Sequence, residues 1–245
     1  MRSLALVVVS VVALGGLAAC KSSPDDGNGS GSGGSDGGTA ACTTAAPAGE
    51  TGQATYYDAD GTGACSFDAG SDFLIAAMNM ADYGNATWCG GCVHVVGPSG
   101  DVTVRIVDEC PGCAPGGLDL SETAFSMISP LSAGRVDISW QQVDCPVTGP
   151  VQYVFQSGSS QFYTAIQLRN TRYPLVSLAA IDGSGSAEEL PRQSYNYFVA
   201  ANGLGPGPYT LQVTDNRGET LEDTNIALDT SGPQSGSAQF PTCGD

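Results

Sequence analysis

Nine cysteines constrain the fold of this 245-residue chain more than any other feature of its sequence. Cys20 closes an apolar amino-terminal segment, and the other eight are spread over residues 42–243. An even number of cysteines in an exported chain predicts disulfides. The Cys89-x-x-Cys92 and Cys110-x-x-Cys113 spacings leave a four-thiolate zinc site as the alternative. Because export favours disulfides and the single histidine, His94, alternates with valines in a strand-like run, we expect disulfides and no metal.

The first twenty residues are typical of an export signal. Residues 4–17 are apolar but short for a membrane span, and Leu17-Ala-Ala-Cys20 resembles a bacterial lipoprotein cleavage site. We therefore expect residues 1–19 to be a signal peptide and Cys20 to carry a lipid anchor, with ordinary secretion as the alternative. Residues 20–50 predict a flexible tether rich in glycine and serine. The protein would then lie at the outer membrane or cell surface and contact the membrane only through its lipid.

The charge balance restricts the partners of the exported part. The formal net charge is -17, from 25 acidic and 8 basic residues. Such a surface repels nucleic acid and anionic polymers, so neutral polysaccharides are the extended partners that remain.

Residues 51–148 predict a small closed barrel. Period-two alternation marks strands near residues 53–57, 93–96, 102–107 and 136–143. Ser71-Asp72 predicts the cap of a short helix through residues 73–78, and Ser121 predicts the cap of a second helix that ends before Pro130. Strands with two short helices at this spacing are typical of a barrel.

The candidate functional residues of this half lie in the stretch from Asp108 to Ser121. Asp108 and Asp119 bracket a loop that contains two prolines and two cysteines. If the preceding strand continues, alternation places Asp108 on the apolar face shared by Val104 and Ile106. Paired carboxylates on a constrained loop suit glycosidic-bond chemistry and also hydrogen bonding to sugars.

Residues 149–245 predict a β-sandwich of immunoglobulin-like type. No convincing helix is present, and short strand candidates alternate with turn clusters such as residues 182–185 and 203–208. The strand candidates are residues 151–155, 162–169, 175–181, 195–200, 209–214 and 224–228.

Several motifs, in this order and spacing, resemble those of the expansin family, and microbial expansin-like proteins in particular. They are Gly52-Gln-Ala-Thr55-Tyr-Tyr57, Gly63-Ala-Cys65-Ser-Phe67, Val107-Asp108-Glu-Cys-Pro111, Leu118-Asp119-Leu-Ser121 and residues 160–174. The resemblance covers about residues 52–243. It implies a mainly β protein, a six-stranded double-psi β-barrel followed by an immunoglobulin-like carbohydrate-binding sandwich. It also implies non-hydrolytic loosening of cell walls, with cellulose or a related β-glucan as partner and no cofactor.

The resemblance also implies the roles of single residues. Asp119 would be the residue most needed for loosening, and Asp108 and Thr55 would line the same groove. The family places a tyrosine two residues after the first aspartate, and Cys110 stands there instead. We expect a Cys110–Cys113 disulfide to shape the loop.

Three further disulfides follow from the same resemblance. By analogy with plant members, Cys65–Cys89 and Cys92–Cys145 are the expected pairs, which leaves Cys42–Cys243 as the fourth.

Three aromatic residues of the second half match the family's carbohydrate-stacking positions: Phe162, Tyr163 and Tyr195. Phe162 and Tyr163 would point to opposite faces of a regular strand. Both can be exposed only if the strand begins after them or is bulged.

The sequence leaves other functions open. An endoglucanase would use Asp119 as the acid and Asp108 as the base. A peptidoglycan lytic transglycosylase could work with Asp119 alone, and a carbohydrate-binding surface lipoprotein would have no loosening activity at all.

Overall fold

Six strands close into a barrel in the first half of the chain. In this computed structural model, which describes residues 42, 45 and 47–243, they are β1 (Glu50–Tyr57), β2 (Ile75–Asn79), β3 (Cys92–Gly97), β4 (Gly100–Cys110), β5 (Leu118–Ser121) and β6 (Val136–Val143). Their order around the barrel is β1-β5-β2-β4-β3-β6. The β1–β5 and β2–β4 pairs are parallel, and the other neighbours are antiparallel. The predicted six-stranded double-psi β-barrel is confirmed.

Two short helices, α1 (Met80–Tyr83) and α2 (Glu122–Ile128), flank the barrel, and a single 3-10 turn covers Leu131–Ala133. As predicted, Ser121 caps α2, because its side chain accepts a hydrogen bond from the Ala124 N–H at 3.1 Å. Phe125 and Ile128 of this helix are fully buried in the barrel core. The helix is therefore held by packing as well as by its cap.

The helix predicted through residues 73–78 is wrong. Asp72 Oδ1 does accept a hydrogen bond from the Leu74 N–H, at 3.0 Å, but this closes a turn and no helix follows. The chain instead enters β2, whose five residues are all buried between β4 and β5. Pairing with a strand on each side outweighs the local helical preference of Ala76, Ala77 and Met78.

Two four-stranded sheets form the second half. The added strands are β7 (Gln152–Phe155), β8 (Thr164–Arg169), β9 (Leu175–Ile181), β10 (Ala187–Glu189), β11 (Phe198–Ala200), β12 (Tyr209–Asp215), β13 (Thr220–Ile226) and β14 (Gln234–Ser235). One sheet has the order β10-β9-β12-β13, and the other has the order β11-β8-β7-β14. Tyr153, Leu178 and Leu211 are among the apolar side chains buried in their common core. The predicted immunoglobulin-like sandwich is confirmed at the level of fold class.

Polar side chains join the barrel to the sandwich. The carbonyl oxygen of Cys65 accepts hydrogen bonds from Gln167 Nε2 at 3.0 Å and from Asn196 Nδ2 at 3.2 Å. The Tyr83 hydroxyl donates to the Ser194 carbonyl at 3.0 Å. Because separation of the two halves would exchange these bonds for bonds to water, each contributes about 0.5–1.5 kcal/mol net to holding the halves together.

Four disulfides use all eight cysteines that follow the amino-terminal segment. They join Cys42 to Cys243, Cys65 to Cys89, Cys92 to Cys145 and Cys110 to Cys113. These are the pairs expected from the resemblance, and in this structure the thiols are not available as zinc ligands.

Several boundaries proposed from the sequence remain predictions. The signal peptide, Cys20 and most of the tether lie outside the described residues. The boundary between residues 148 and 149 falls in the connection between β6 and β7, and it also stays a prediction.

None of the helices that the structure describes is long and apolar enough to cross a membrane.

Candidate functional site

The candidate groove runs across the outer face of four neighbouring barrel strands. Thr55 of β1 lies opposite Asp119 of β5, Asp119 lies opposite Ala77 of β2, and Ala77 lies opposite Asp108 of β4. Neighbouring strands are about 4.8 Å apart, so the Cα atoms of the two aspartates are separated by roughly 10 Å. The structure thus brings together the three groove residues named from the sequence.

A β-bulge decides which way Asp108 points. The pairing of β2 with β4 shifts by one residue, because Ala76 pairs with Ile106 whereas Ala77 pairs with Asp108. Ala76 and Ile106 face the barrel core, so the next pair in the register, Ala77 and Asp108, faces outward. The prediction that Asp108 shares the apolar face of Ile106 is therefore wrong. Val107 is the extra residue of the bulge, and it turns Asp108 into the same row as Asp119.

Asp119 is oriented by its neighbour on β1. The Thr55 hydroxyl donates a hydrogen bond of 2.5 Å to Asp119 Oδ1. Leu118 and Leu120, on either side of Asp119, are fully buried in the barrel core, which fixes the strand beneath the carboxylate. Asp119 Oδ2 has no partner among the described residues, so it can accept a hydrogen bond from a sugar hydroxyl.

Asp108 is bonded to the backbone around it. Its Oδ1 accepts hydrogen bonds from the Ala64 N–H at 2.6 Å and from the Glu109 N–H at 2.8 Å. A Cβ atom at Gly63 would lie only 2.4 Å from the Asp108 Cγ, so only glycine lets the loop approach the carboxylate this closely. Asp108 thereby ties the loop after β1 to the end of β4.

Tyr57 is a groove residue that the sequence reasoning missed. Its hydroxyl is buried and has no hydrogen-bond partner among the described residues. Burial, and then the charges of Asp108, Asp119 and Asp60, raise the pKa of the Tyr57 phenol well above its ordinary value. The phenol therefore lies close to both groove carboxylates and is held in its protonated form. Its position two residues after Thr55 on one strand was the available signal, since such residues share a face.

The loop between the two aspartates is held at both ends. The Cys110–Cys113 disulfide closes its start, where the Cys113 N–H also donates to the Cys110 carbonyl at 3.2 Å. At its end the Gly116 N–H donates to Asp82 Oδ2 at 3.0 Å. The Trp140 indole N–H donates to the Gly116 carbonyl at 2.8 Å. These bonds fix the loop that leads from Cys110 to the strand of Asp119.

The three aromatic residues of the sandwich that were named from the sequence as stacking candidates are all exposed. Phe162 is 73% exposed, Tyr163 is 36% exposed and Tyr195 is 38% exposed. Strand β8 begins at Thr164, so Phe162 and Tyr163 precede it and are released from the alternation of a regular strand. Burial, and then the neighbouring Tyr163, raise the pKa of the Tyr195 phenol, which indicates that these two side chains are close together. We call Phe162, Tyr163 and Tyr195 the aromatic platform.

Comparison with known proteins finds relatives that are similar over most of this chain. The chain is 38% identical over 180 residues to Expansin-YoaJ of Bacillus subtilis, covering 70% of this chain and 77% of that protein. It is 26% identical over 205 residues to Expansin-like protein 1 of Dictyostelium discoideum, covering 78% and 71% of the two chains. A crystal structure of a Clavibacter michiganensis expansin variant in complex with cellohexaose matches with a TM-score of 0.74 at 29% identity, covering 80% of this chain and 100% of that chain. A family model described as lytic transglycolase matches residues 49–140.

The buried phenols predict a loss of stability in alkali. Burial is the main cause that raises the pKa of Tyr57, Tyr83, Tyr153 and Tyr173 above the ordinary value of about 10. Above about pH 10 the unfolded chain loses these protons while the folded chain keeps them, so the free energy of unfolding must fall as the pH rises. Denaturant unfolding between pH 8 and pH 11 measures this, and Tyr57→Phe should show a smaller fall than the unsubstituted chain. An equal fall in both proteins would contradict the burial of the Tyr57 phenol in the folded chain.

Proposed function

The chain belongs to the expansin family, and from that premise we propose that it binds cellulose-containing cell-wall polysaccharide and loosens it without hydrolysis. The observation that carries this proposal is the row from Thr55 through Asp119 to Asp108 on an outer face of the barrel. An extended, uncharged polymer can lie across such a row and exchange its hydrogen bonds with other chains for bonds to the protein. Asp119 is the central acceptor, because its Oδ2 remains open while Thr55 holds its Oδ1.

The surroundings of Asp108 argue against hydrolysis by inversion. That reaction needs a second carboxylate that takes a proton from water, with the two carboxyl groups roughly 6.5–9.5 Å apart. Asp108 Oδ1 is occupied by two backbone N–H groups, and the Gly63 backbone packs against the same carboxyl group. We infer that Asp108 acts as a structural link and a wall of the groove, and that it does not activate water.

The aromatic platform supplies the second contact with the polymer. Aromatic faces stack on the apolar faces of sugar rings and bury a large area without requiring charge. This suits a protein with a net charge of -17 and a neutral substrate. The groove and the platform would then bind the same class of polysaccharide.

A second candidate function has one specific observation in its favour. The family model that matches residues 49–140 is described as lytic transglycolase. A lytic transglycosylase could use Asp119 as its acid without a second carboxylate. Release of anhydro sugars from peptidoglycan, lost in Asp119→Asn, would identify this activity.

We also propose that the protein is exported and held at the cell envelope by a lipid on Cys20. The support is the Leu17-Ala-Ala-Cys20 sequence together with four disulfides, which form in oxidising compartments. The long polar segment after Cys20 would let the folded part reach a wall polymer.

Replacing Asp119 by asparagine should remove loosening while leaving most cellulose binding intact. The carboxylate makes charge-assisted hydrogen bonds that an amide cannot replace, so we expect a loss of wall creep of at least about tenfold. Creep of cellulose-containing wall strips under load measures it. Asp101→Asn is the matched control, since it makes the same charge change at an exposed position outside the groove. Sugar release by the unsubstituted protein that disappears in Asp119→Asn would overturn the non-hydrolytic mechanism.

Removing a platform ring should weaken binding to cellulose. Each stacked aromatic contributes about 0.5–1.5 kcal/mol, so Tyr163→Ala and Tyr195→Ala should each weaken binding roughly 2- to 12-fold. Depletion isotherms on microcrystalline cellulose measure the change. Phe73→Ala removes a ring that is 43% exposed on the barrel, and it should leave binding unchanged. Equal affinities in all four proteins would contradict the role of the platform.

The anchor can be tested at its own residue. Cys20→Ser should move the protein from the membrane fraction to the soluble fraction and abolish incorporation of a labelled fatty acid. Cys20 lies outside the four disulfides, so the substitution should not change their number. Unchanged membrane association and labelling would refute lipidation at this position.

A further inference from the structure

A second concave site lies at the seam between the barrel and the sandwich. It is a cavity of about 230 Å³ lined by the loop between β1 and β2, the turn before β3, the outer face of β4 and the end of β8. It shares no residue with the aromatic platform or with Thr55, Tyr57, Asp108 and Asp119. Nothing in the proposed function requires this cavity.

Arg105 places a cation in the wall of the cavity. The residue lies on the outer face of β4 and is half-buried. Its Nη1 donates one long hydrogen bond, of 3.4 Å, to the Gly90 carbonyl, and no carboxylate of the described residues pairs with it. Burial lowers the pKa of its guanidinium, whereas the negative charge of Asp72 raises it. Buried charges in proteins are normally paired, so this arginine has donors left for a ligand.

Thr171 adds a second polar group to the same wall. The residue is only 3% exposed, and its hydroxyl has no hydrogen bond to the described residues. This hydroxyl is not among the fully buried polar atoms that lack a partner, so it reaches the open space of the cavity. A threonine that lines a cavity in this way can donate a hydrogen bond to whatever occupies the cavity.

Both groups converge on Gly90. This glycine has φ +80°, and a Cβ atom there would lie 3.4 Å from the Phe67 Cζ and 3.5 Å from the Thr171 Oγ1. A larger side chain would lie against the Phe67 ring and the Thr171 hydroxyl, on the residue whose carbonyl accepts the Arg105 hydrogen bond. The glycine therefore keeps the cavity open at the point where its polar groups meet.

The other charged groups of the cavity already have partners. Arg169 and Asp68 form an ion pair with an N–O distance of 2.5 Å. Asp72 Oδ1 accepts a hydrogen bond from the Leu74 N–H. Arg105 is thus the charged group of this wall with the greatest unmet capacity for hydrogen bonds.

We propose that this cavity binds a single carboxylate carried by a molecule of monosaccharide size, that is, a uronic acid unit. The planar guanidinium of Arg105 matches a carboxylate with two parallel hydrogen bonds, and the Thr171 hydroxyl adds a third donor. The Phe67 ring and Val107 supply an apolar wall for the sugar ring. The volume is below the range of pockets for drug-sized ligands, about 300–1,000 Å³, which fits one ring. The net charge of -17 disfavours a polyanion, so the ligand is an isolated uronate unit, either free or on a largely neutral polysaccharide.

Calorimetric titration of the full chain with sodium glucuronate tests the proposal. We expect saturable binding with a Kd on the order of 1 mM, no saturable binding of glucose, and weaker binding of acetate, which lacks the ring. Arg105→Met should weaken glucuronate binding at least about tenfold. Arg135→Met removes an exposed arginine outside the cavity and should bind glucuronate like the unsubstituted chain.

Two milder variants keep the test decisive if Arg105→Met does not fold. Arg105→Lys keeps the charge but loses the planar fork, and Thr171→Val keeps the volume but loses the hydroxyl, so each should weaken binding several-fold. Absence of saturable glucuronate binding, equal binding by the cavity variants, or acetate binding as tight as glucuronate would overturn the proposal. Cellulose binding by these variants should stay unchanged, so failure here is distinguishable from failure of the groove or platform.

Discussion

The carbonyl oxygen of Cys65 accepts hydrogen bonds from Gln167 and Asn196 of the sandwich, and the arrangement of the proposed binding surface depends on this contact. The residue before it, Ala64, donates its N–H to the groove carboxylate of Asp108. The residue before Asn196 is Tyr195, a member of the aromatic platform. The segment Ala64-Cys65 therefore contacts the groove through Asp108 and contacts Asn196, the neighbour of a platform residue. The buried Cys65–Cys89 disulfide fixes that segment to the barrel, so the groove and the platform keep a set relation.

The groove itself is a product of barrel topology. Parallel pairing of β1 with β5 and of β2 with β4, joined by the antiparallel pairing of β2 with β5, brings three residues that are distant in sequence into one row: Thr55, Asp119 and Asp108. One bulge turns Asp108 outward, and backbone bonds then immobilise its carboxylate. The Tyr57 phenol lies near both aspartates and is held in its protonated form, so it adds no further negative charge to the row. In the function proposed above, such a surface would offer fixed hydrogen-bond acceptors to a polysaccharide, and Asp108 would not activate water.

Much of this could be predicted from residue patterns, and the failures have physical causes. Alternation located β6 at residues 136–143, and the Ser121 cap located α2, because both signals are local. The helix predicted through residues 73–78 failed because β2 is specified by its two neighbouring strands, which local propensity does not reveal. The prediction of the face on which Asp108 lies failed because a bulge depends on the pairing register between strands, which the sequence does not reveal. Tyr57 was missed although its position two residues after Thr55 indicated the shared face. The Arg105 cavity could not be predicted, because it depends on segments that only the folded chain brings together.

The central claim is that one glucan chain contacts the groove and the platform together, as a single surface. Titration with soluble cello-oligosaccharides of increasing length tests it most directly, in the unsubstituted protein, Asp119→Asn and Tyr163→Ala. The account predicts that affinity keeps rising beyond the length that fills either part alone, and that each substitution removes this additional gain. A plateau at the same short length in all three proteins would contradict it, because the two parts would then bind separate chains.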